Sequence, residues 1–184
     1  MRVARLVPLL LVFSAAAMAE DSGPVQAQQL AQSVQNPVID AQDFLGNARE
    51  ALAHRQTHRV GERAFLRMMG EPNTIVLDAR SRERFDELHV AGAINLSFPD
   101  ITVESLARVL PDKDARILIY CNNNFRNEER AFPTKLPSAS LNLSTYSALY
   151  DYGYRNVYEL GPNIDATATR LPMTGSVAAE QESG

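Results

Sequence analysis

Four short apolar runs punctuate the chain: Thr74–Asp78, Ala93–Leu96, Arg116–Tyr120 and Asn156–Leu160. Ile75-Val76-Leu77 and Ile117-Leu118-Ile119 are continuous and rich in β-branched residues, the pattern of strands buried on both faces. Between the runs, apolar positions recur at helical spacing. Ala41, Phe44, Leu45, Ala48, Ala51 and Leu52 predict an amphipathic helix over residues 40–52. Residues 61–69 predict a second helix, ended by Gly70 and Pro72, and 102–110 a third, stopped by Pro111. Residues 144–152 predict a fourth, ended by Gly153. Strands alternating with helices predict an α/β domain around a central parallel sheet, with the helix at 40–52 as an N-terminal addition.

The polar stretches carry less order. Residues 20–36 are rich in Gln, Ala and Ser without an apolar period and read as a flexible lead. The tail after Pro172 is small, polar and acidic, and is expected to be disordered. Residues 1–19 differ from both. Arg2 and Arg5 precede an apolar core from Leu6 to Ala17, and Ala17-Met18-Ala19 forms a cleavage pattern. That is a secretory signal peptide, too short for a membrane span, so the mature protein is expected in the periplasm or outside the cell, without stable membrane insertion.

Cleavage removes two of the eighteen basic residues and leaves sixteen against twenty-two acids, a net charge of −6. With no basic tract, this excludes nucleic acid as an expected partner. Cys121 is the only cysteine. It has no intramolecular disulfide partner, and one Cys with three dispersed His excludes a zinc site. His54 and His58 are expected at the surface, with no metal ligand among them. Cys121 stands where the central run ends and the polar stretch Asn122-Asn123-Asn124-Phe125-Arg126 begins. In an open parallel sheet, ligand chemistry gathers past the carboxyl ends of the strands. The thiol is therefore a candidate nucleophile, against the alternative of a free core cysteine.

The residues around the second strand carry a resemblance. Asp78 and Arg80 follow it, then the aromatic Phe85, then His89-Val90-Ala91-Gly92-Ala93-Ile94-Asn95-Leu96. This resembles the first signature of the rhodanese-like domain, and Gly153-Tyr154-Arg155-Asn156-Val157 is similar to the family's lead into its last strand. The resemblance covers residues 57–172. It implies a boundary plan of signal peptide 1–19, lead and accessory helix 20–56, rhodanese-like domain 57–172 and tail 173–184. It also places Cys121 at the family's catalytic cysteine, and so implies a sulfurtransferase without a cofactor. The implied donor is a small sulfur-containing anion such as thiosulfate, and the acceptor a thiol or a protein.

Within that frame, Asn122, Asn123, Asn124, Phe125 and Arg126 are candidate substrate-binding residues, Arg126 as the cation that favours a thiolate and holds the donor. Asp78, Arg80 and Lys135 are further candidates, the first two also readable as a structural ion pair, and His89 reads as a packing histidine. Three features depart from the family: the Asn-rich loop, an ending altered to Gly161-Pro162-Asn163-Ile164-Asp165, and the Pro-containing segment 132–140. That segment is expected to be an inserted loop that narrows the choice of acceptor. Two other functions compete. A Cys-based phosphatase needs five residues between Cys and Arg, and here there are four. A non-enzymatic sulfur carrier or interaction module is the other.

Overall fold

The computed structural model describes residues 36–182. The expected signal peptide, and the expected lead up to residue 35, lie outside the described residues. The chain divides into two compact units at Asp40 and Ala41. Of the first, residues 36–40 are described: a turn in which the Asn36 side chain accepts from the Val38 N–H at 3.1 Å.

The second unit is built on five parallel strands in the order β1 (Arg59–Val60), β7 (Val157–Leu160), β5 (Arg116–Tyr120), β2 (Thr74–Asp78) and β4 (Ile94–Asn95). β5 is central, paired with β2 from Thr74↔Arg116 to Asp78↔Tyr120 and with β7 from Ile117↔Val157 to Ile119↔Glu159. Successive side chains point to opposite faces, so β5 supplies two cores. Leu118 and Tyr120 join Phe65, Val90, Phe125, Phe132 and Leu160 on one face. Ile117 and Ile119 join Ala51, Leu106, Tyr146, Leu149 and Val157 on the other.

The helices cover these faces: α1 (Ala41–Arg55), α2 (Glu62–Met69), α3 (Arg82–Glu87), α4 (Val103–Val109), α5 (Leu141–Asp151) and α6 (Ser176–Glu182). α1 packs along α5, where Asn47 donates to the Ser147 carbonyl at 3.1 Å and Ala51 is fully buried. Thr102 caps α4, its hydroxyl accepting from the Ser105 N–H at 3.1 Å. Among the described residues, no helix is long and apolar enough to cross a membrane.

The tail corrects an expectation. β9 (Met173–Thr174) pairs antiparallel with β3 (His89–Val90), and Val177 on α6 enters the core. Composition alone missed this because the order comes from pairing across more than eighty residues rather than from a local apolar period. Gly175 makes the approach possible: at φ +138, a Cβ there would lie 2.4 Å from the Glu87 carbonyl oxygen. α5 also starts three residues before its expected position.

Candidate functional site

Cys121 follows β5 and caps a single 3-10 turn, Asn122–Asn124. The opening N–H groups of such a turn have no partner inside it. Asn124 holds the turn shut from below. Its Oδ1 accepts from the Cys121 N–H at 2.8 Å and from Asn142 Nδ2 at 2.9 Å, and its Nδ2 donates to the Leu160 carbonyl at 2.6 Å. All of this is buried, so the turn is fixed by satisfied polar groups.

Cys121 is almost fully buried, 1 % exposed, with Sγ 3.4 Å from the Ser140 hydroxyl. It lines a cavity of about 190 Å3 with Arg55, Arg59, Asn123, Asn124, Ser140, Asn142 and Glu159 among the wall residues. Glu159 is 3 % exposed. Both its oxygens are taken by Arg55, through Nε and, at 2.6 Å, through Nη2. Arg59 lies beyond, its Nε 3.8 Å from Glu159 Oε1 and its Nη2 donating to the Gly161 carbonyl at 3.1 Å. The cavity thus carries two guanidinium groups against one carboxylate. None of Arg55, Arg59, Glu159 and Ser140 was legible as a site residue. Arg55 and Arg59 lie ahead of the motifs that carry the resemblance, and Glu159 sits in an apolar run.

The other candidates scatter. Asn123 and Asn124 line the cavity, whereas Asn122 faces a separate one of about 380 Å3 that it shares with Lys135, Arg84 and Phe98. Lys135 is tied to the loop by its backbone: Asn123 Nδ2 donates to its carbonyl at 2.8 Å, and its N–H donates to Asn123 Oδ1 at 3.2 Å. Phe125 is core, edge-on to Tyr120 and 4.3 Å from the Phe132 ring centroid.

Arg126 departs from its expected place beside the thiol. β6 (Phe125–Arg126) pairs with β8 (Ile164–Asp165), which turns the guanidinium outward onto the Asn163 carbonyl at 2.7 Å. The spacing from Cys to Arg therefore does not describe a loop closed around an anion.

Asp78 and Arg80 form a buried pair, with Arg80 Nη2 2.6 Å from Asp78 Oδ2. Arg80 also donates to the carbonyls of Ala131 and Leu88 and lies over the Phe132 ring, while the Tyr120 hydroxyl donates to Asp78 at 2.6 Å. Burial and the adjacent Asp78 carboxylate push the Tyr120 phenol well up. This is the structural ion pair of the two readings, and it clamps the segment after the 122–124 turn. His89 packs flat on Phe85 and bonds its carbonyl, as a packing histidine does. His54 and His58 are half-buried rather than at the surface. They stack on each other at 3.9 Å, and His54 Nδ1 lies 2.8 Å from the Tyr146 hydroxyl. Among the described residues, no group of three or more His, Cys, Asp or Glu side chains stands together as a metal site.

The segment 132–140 is a loop with one 3-10 turn, Pro137–Ala139. Phe132 at its start is core, and Ser140 at its end touches the thiol, so the segment packs against the turn after Cys121.

The sequence model of the Rhodanese-like domain family matches residues 62–161. No curated protein matches the chain in sequence. Among solved structures, it is similar to a rhodanese-like domain from Anabaena sp. determined by solution NMR, at 20 % identity over 69 % of this chain and 86 % of that one, TM-score 0.49. It is also similar to a rhodanese with anions from E. coli, at 23 % identity over 56 % and 99 %, TM-score 0.39. A Helicobacter pylori protein solved by NMR is 21 % identical over 66 % and 92 %, TM-score 0.43.

Proposed function

The chain belongs to the Rhodanese-like domain family, and from that premise we propose that it is an exported sulfurtransferase. It moves a sulfane sulfur from a small thiosulfate-like anion to a thiophilic acceptor, through a persulfide on Cys121. One observation carries this reading: the only thiol of the chain stands at the carboxyl end of the central strand, in a small polar cavity walled by two guanidinium groups.

The thiolate is the nucleophile in exchange at sulfur. It attacks the outer sulfur of the donor, a new S–S bond joins that sulfur to Cys121, and the donor's own S–S bond breaks. Sulfite leaves with the electron pair. An acceptor thiolate or cyanide then attacks the outer persulfide sulfur, and Cys121 departs again as thiolate. The two steps balance with no further reactant. Ser140 is placed to donate a hydrogen bond to the anionic sulfur. The opening amides of the 122–124 turn lend it a positive field, and the guanidinium groups draw the donor anion in.

The depth of the thiol favours a second reading, a sulfur carrier without turnover. A cysteine 1 % exposed admits a small donor more readily than a protein acceptor.

Intact mass of the purified protein tests both readings. After thiosulfate the protein should gain one sulfur atom, lost again on adding cyanide or a thiol, and Cys121→Ser should gain none. Loading without turnover would leave the carrier reading. A wild-type protein that takes no sulfur overturns both. The same spectrum reads the N-terminus: a mature chain beginning near Glu20 supports export, and a soluble chain retaining Met1 overturns it.

A further inference from the structure

Parallel register aligns residues across the sheet. Ile119 pairs with Glu159, and Glu159 pairs with Arg59, so the three form one row across β5, β7 and β1. Cys121 lies two residues past Ile119, which puts it on the same face of the sheet as that row. Two strand spacings of about 4.8 Å separate β5 from β1, a span that one small anion and an arginine side chain can bridge. Cys121 and Arg59 both line the shared cavity.

The charges in the cavity are unequal. Arg55 and Glu159 satisfy each other through a two-point pair, with the Glu159 side chain 4 % exposed and that of Arg55 18 %. Arg59 stands outside that pair. Its side chain is 47 % exposed, and Nε stays beyond hydrogen-bond distance of the carboxylate. Of the five guanidinium donors, one is bonded to the Gly161 carbonyl, and no other acceptor is bonded to Arg59 among the described residues. Arg126, the cation expected from spacing, is held away on Asn163.

We infer that Arg59 is the residue that binds the donor, holding the oxyanion end of a small sulfane-sulfur anion while the outer sulfur faces Cys121. The inference rests on the sulfurtransferase reading and names the donor class for it. A cavity of about 190 Å3 holds roughly six water volumes. Thiosulfate or a small thiosulfonate fits inside it. Arg59 and Arg55 both precede the matched segment at 62–161. Arg59 stands on β1, at the edge of the central sheet, and Arg55 ends α1. The Arg55–Glu159 pair fixes the wall against which Arg59 lies.

Steady-state kinetics with thiosulfate as donor and cyanide as acceptor test this. Arg59→Ala should raise the thiosulfate KM by about 10- to 100-fold, the range for losing a charge-assisted hydrogen bond, with kcat changed much less. Arg59→Lys should recover part of the loss, and Arg126→Ala should leave KM at the wild-type value. Saturating thiosulfate should still load Cys121 of Arg59→Ala with one sulfur, read by intact mass. If wild type loads sulfur and Arg59→Ala keeps the wild-type KM, this inference is overturned and the sulfurtransferase reading stands. If wild type itself takes no sulfur, both fall. Should Arg59→Ala melt below the assay temperature, the pair Arg59→Lys and Arg59→Gln carries the comparison. Equal KM values for those two would overturn the inference as well.

Discussion

Ser140 is the residue that couples the thiol to the segment behind it. Its hydroxyl lies 3.4 Å from Cys121 Sγ and stands at the start of α5, where the backbone is held by helical packing. A hydroxyl so placed can donate to a thiolate or a persulfide anion, and a bond to a charged group contributes roughly 1.5–3 kcal/mol. We expect Ser140→Ala to slow persulfide formation from thiosulfate by about tenfold or more at neutral pH, with little change in thermal stability. Stopped-flow sulfite release measures it, and a wild-type rate would remove Ser140 from the chemistry. At this scale the sequence was partly legible. Cys121 stood out because it is the only thiol and ends a buried run. Arg126 misled because spacing along a loop does not say which way a guanidinium faces. That depends on β6 pairing with β8 nearly forty residues later. Arg59 and Glu159 were hidden for the same reason, since their meeting depends on a two-residue strand with no period of its own.

The elements around the site are held by one buried ionic network. Asp78 ends β2, Arg80 follows it, Tyr120 ends β5, and Ala131 belongs to the segment after the active-site turn. Arg80 is 2 % exposed, so its charge is stable only because Asp78 and two carbonyls face it. Taking one partner from a buried pair strands the other charge and typically costs about 3–5 kcal/mol. Arg80→Met should lower unfolding free energy by about that amount in urea titration, through the bare Asp78 carboxylate and the orphaned carbonyls of Ala131 and Leu88. A loss below about 1 kcal/mol would mean that the network is not holding the turn. Strands β2 and β5 and most helices were legible here, because their apolar periods are local. The ordered C-terminal strand and helix were not, because β9 is ordered by β3 and Val177 by the core rather than by their own residues.

For the whole molecule, α1 is the element on which site and stability meet. It buries Ala51, delivers Arg55 to Glu159, and carries in its last turn His54, which packs between His58, Tyr146 and Tyr150 and faces the positive charge of Arg155. Burial, then His58, then Arg155 hold the His54 pKa below its ordinary value of 6.5. The folded protein therefore resists a proton that the unfolded chain accepts. Where the unfolded state binds more protons, stability rises with pH. The contribution of His54 is complete above about 6.5, and it is lost as pH falls below that value toward the folded pKa. The carboxylates held low, such as Glu62, Glu87 and Asp165, contribute in the opposite half of the acid range. Their stabilisation is present above about pH 4 and fades only below it. The interval from pH 7 to pH 5 thus isolates the histidines, and a His54→Gln variant isolates this one. We expect wild-type stability in urea to fall over that interval more steeply than that of His54→Gln, so that the two curves converge toward pH 5. Parallel curves would show that His54 takes its proton as easily in the folded protein as in the unfolded chain. In that case the acid limb of stability would have to arise away from the contact between α1 and α5.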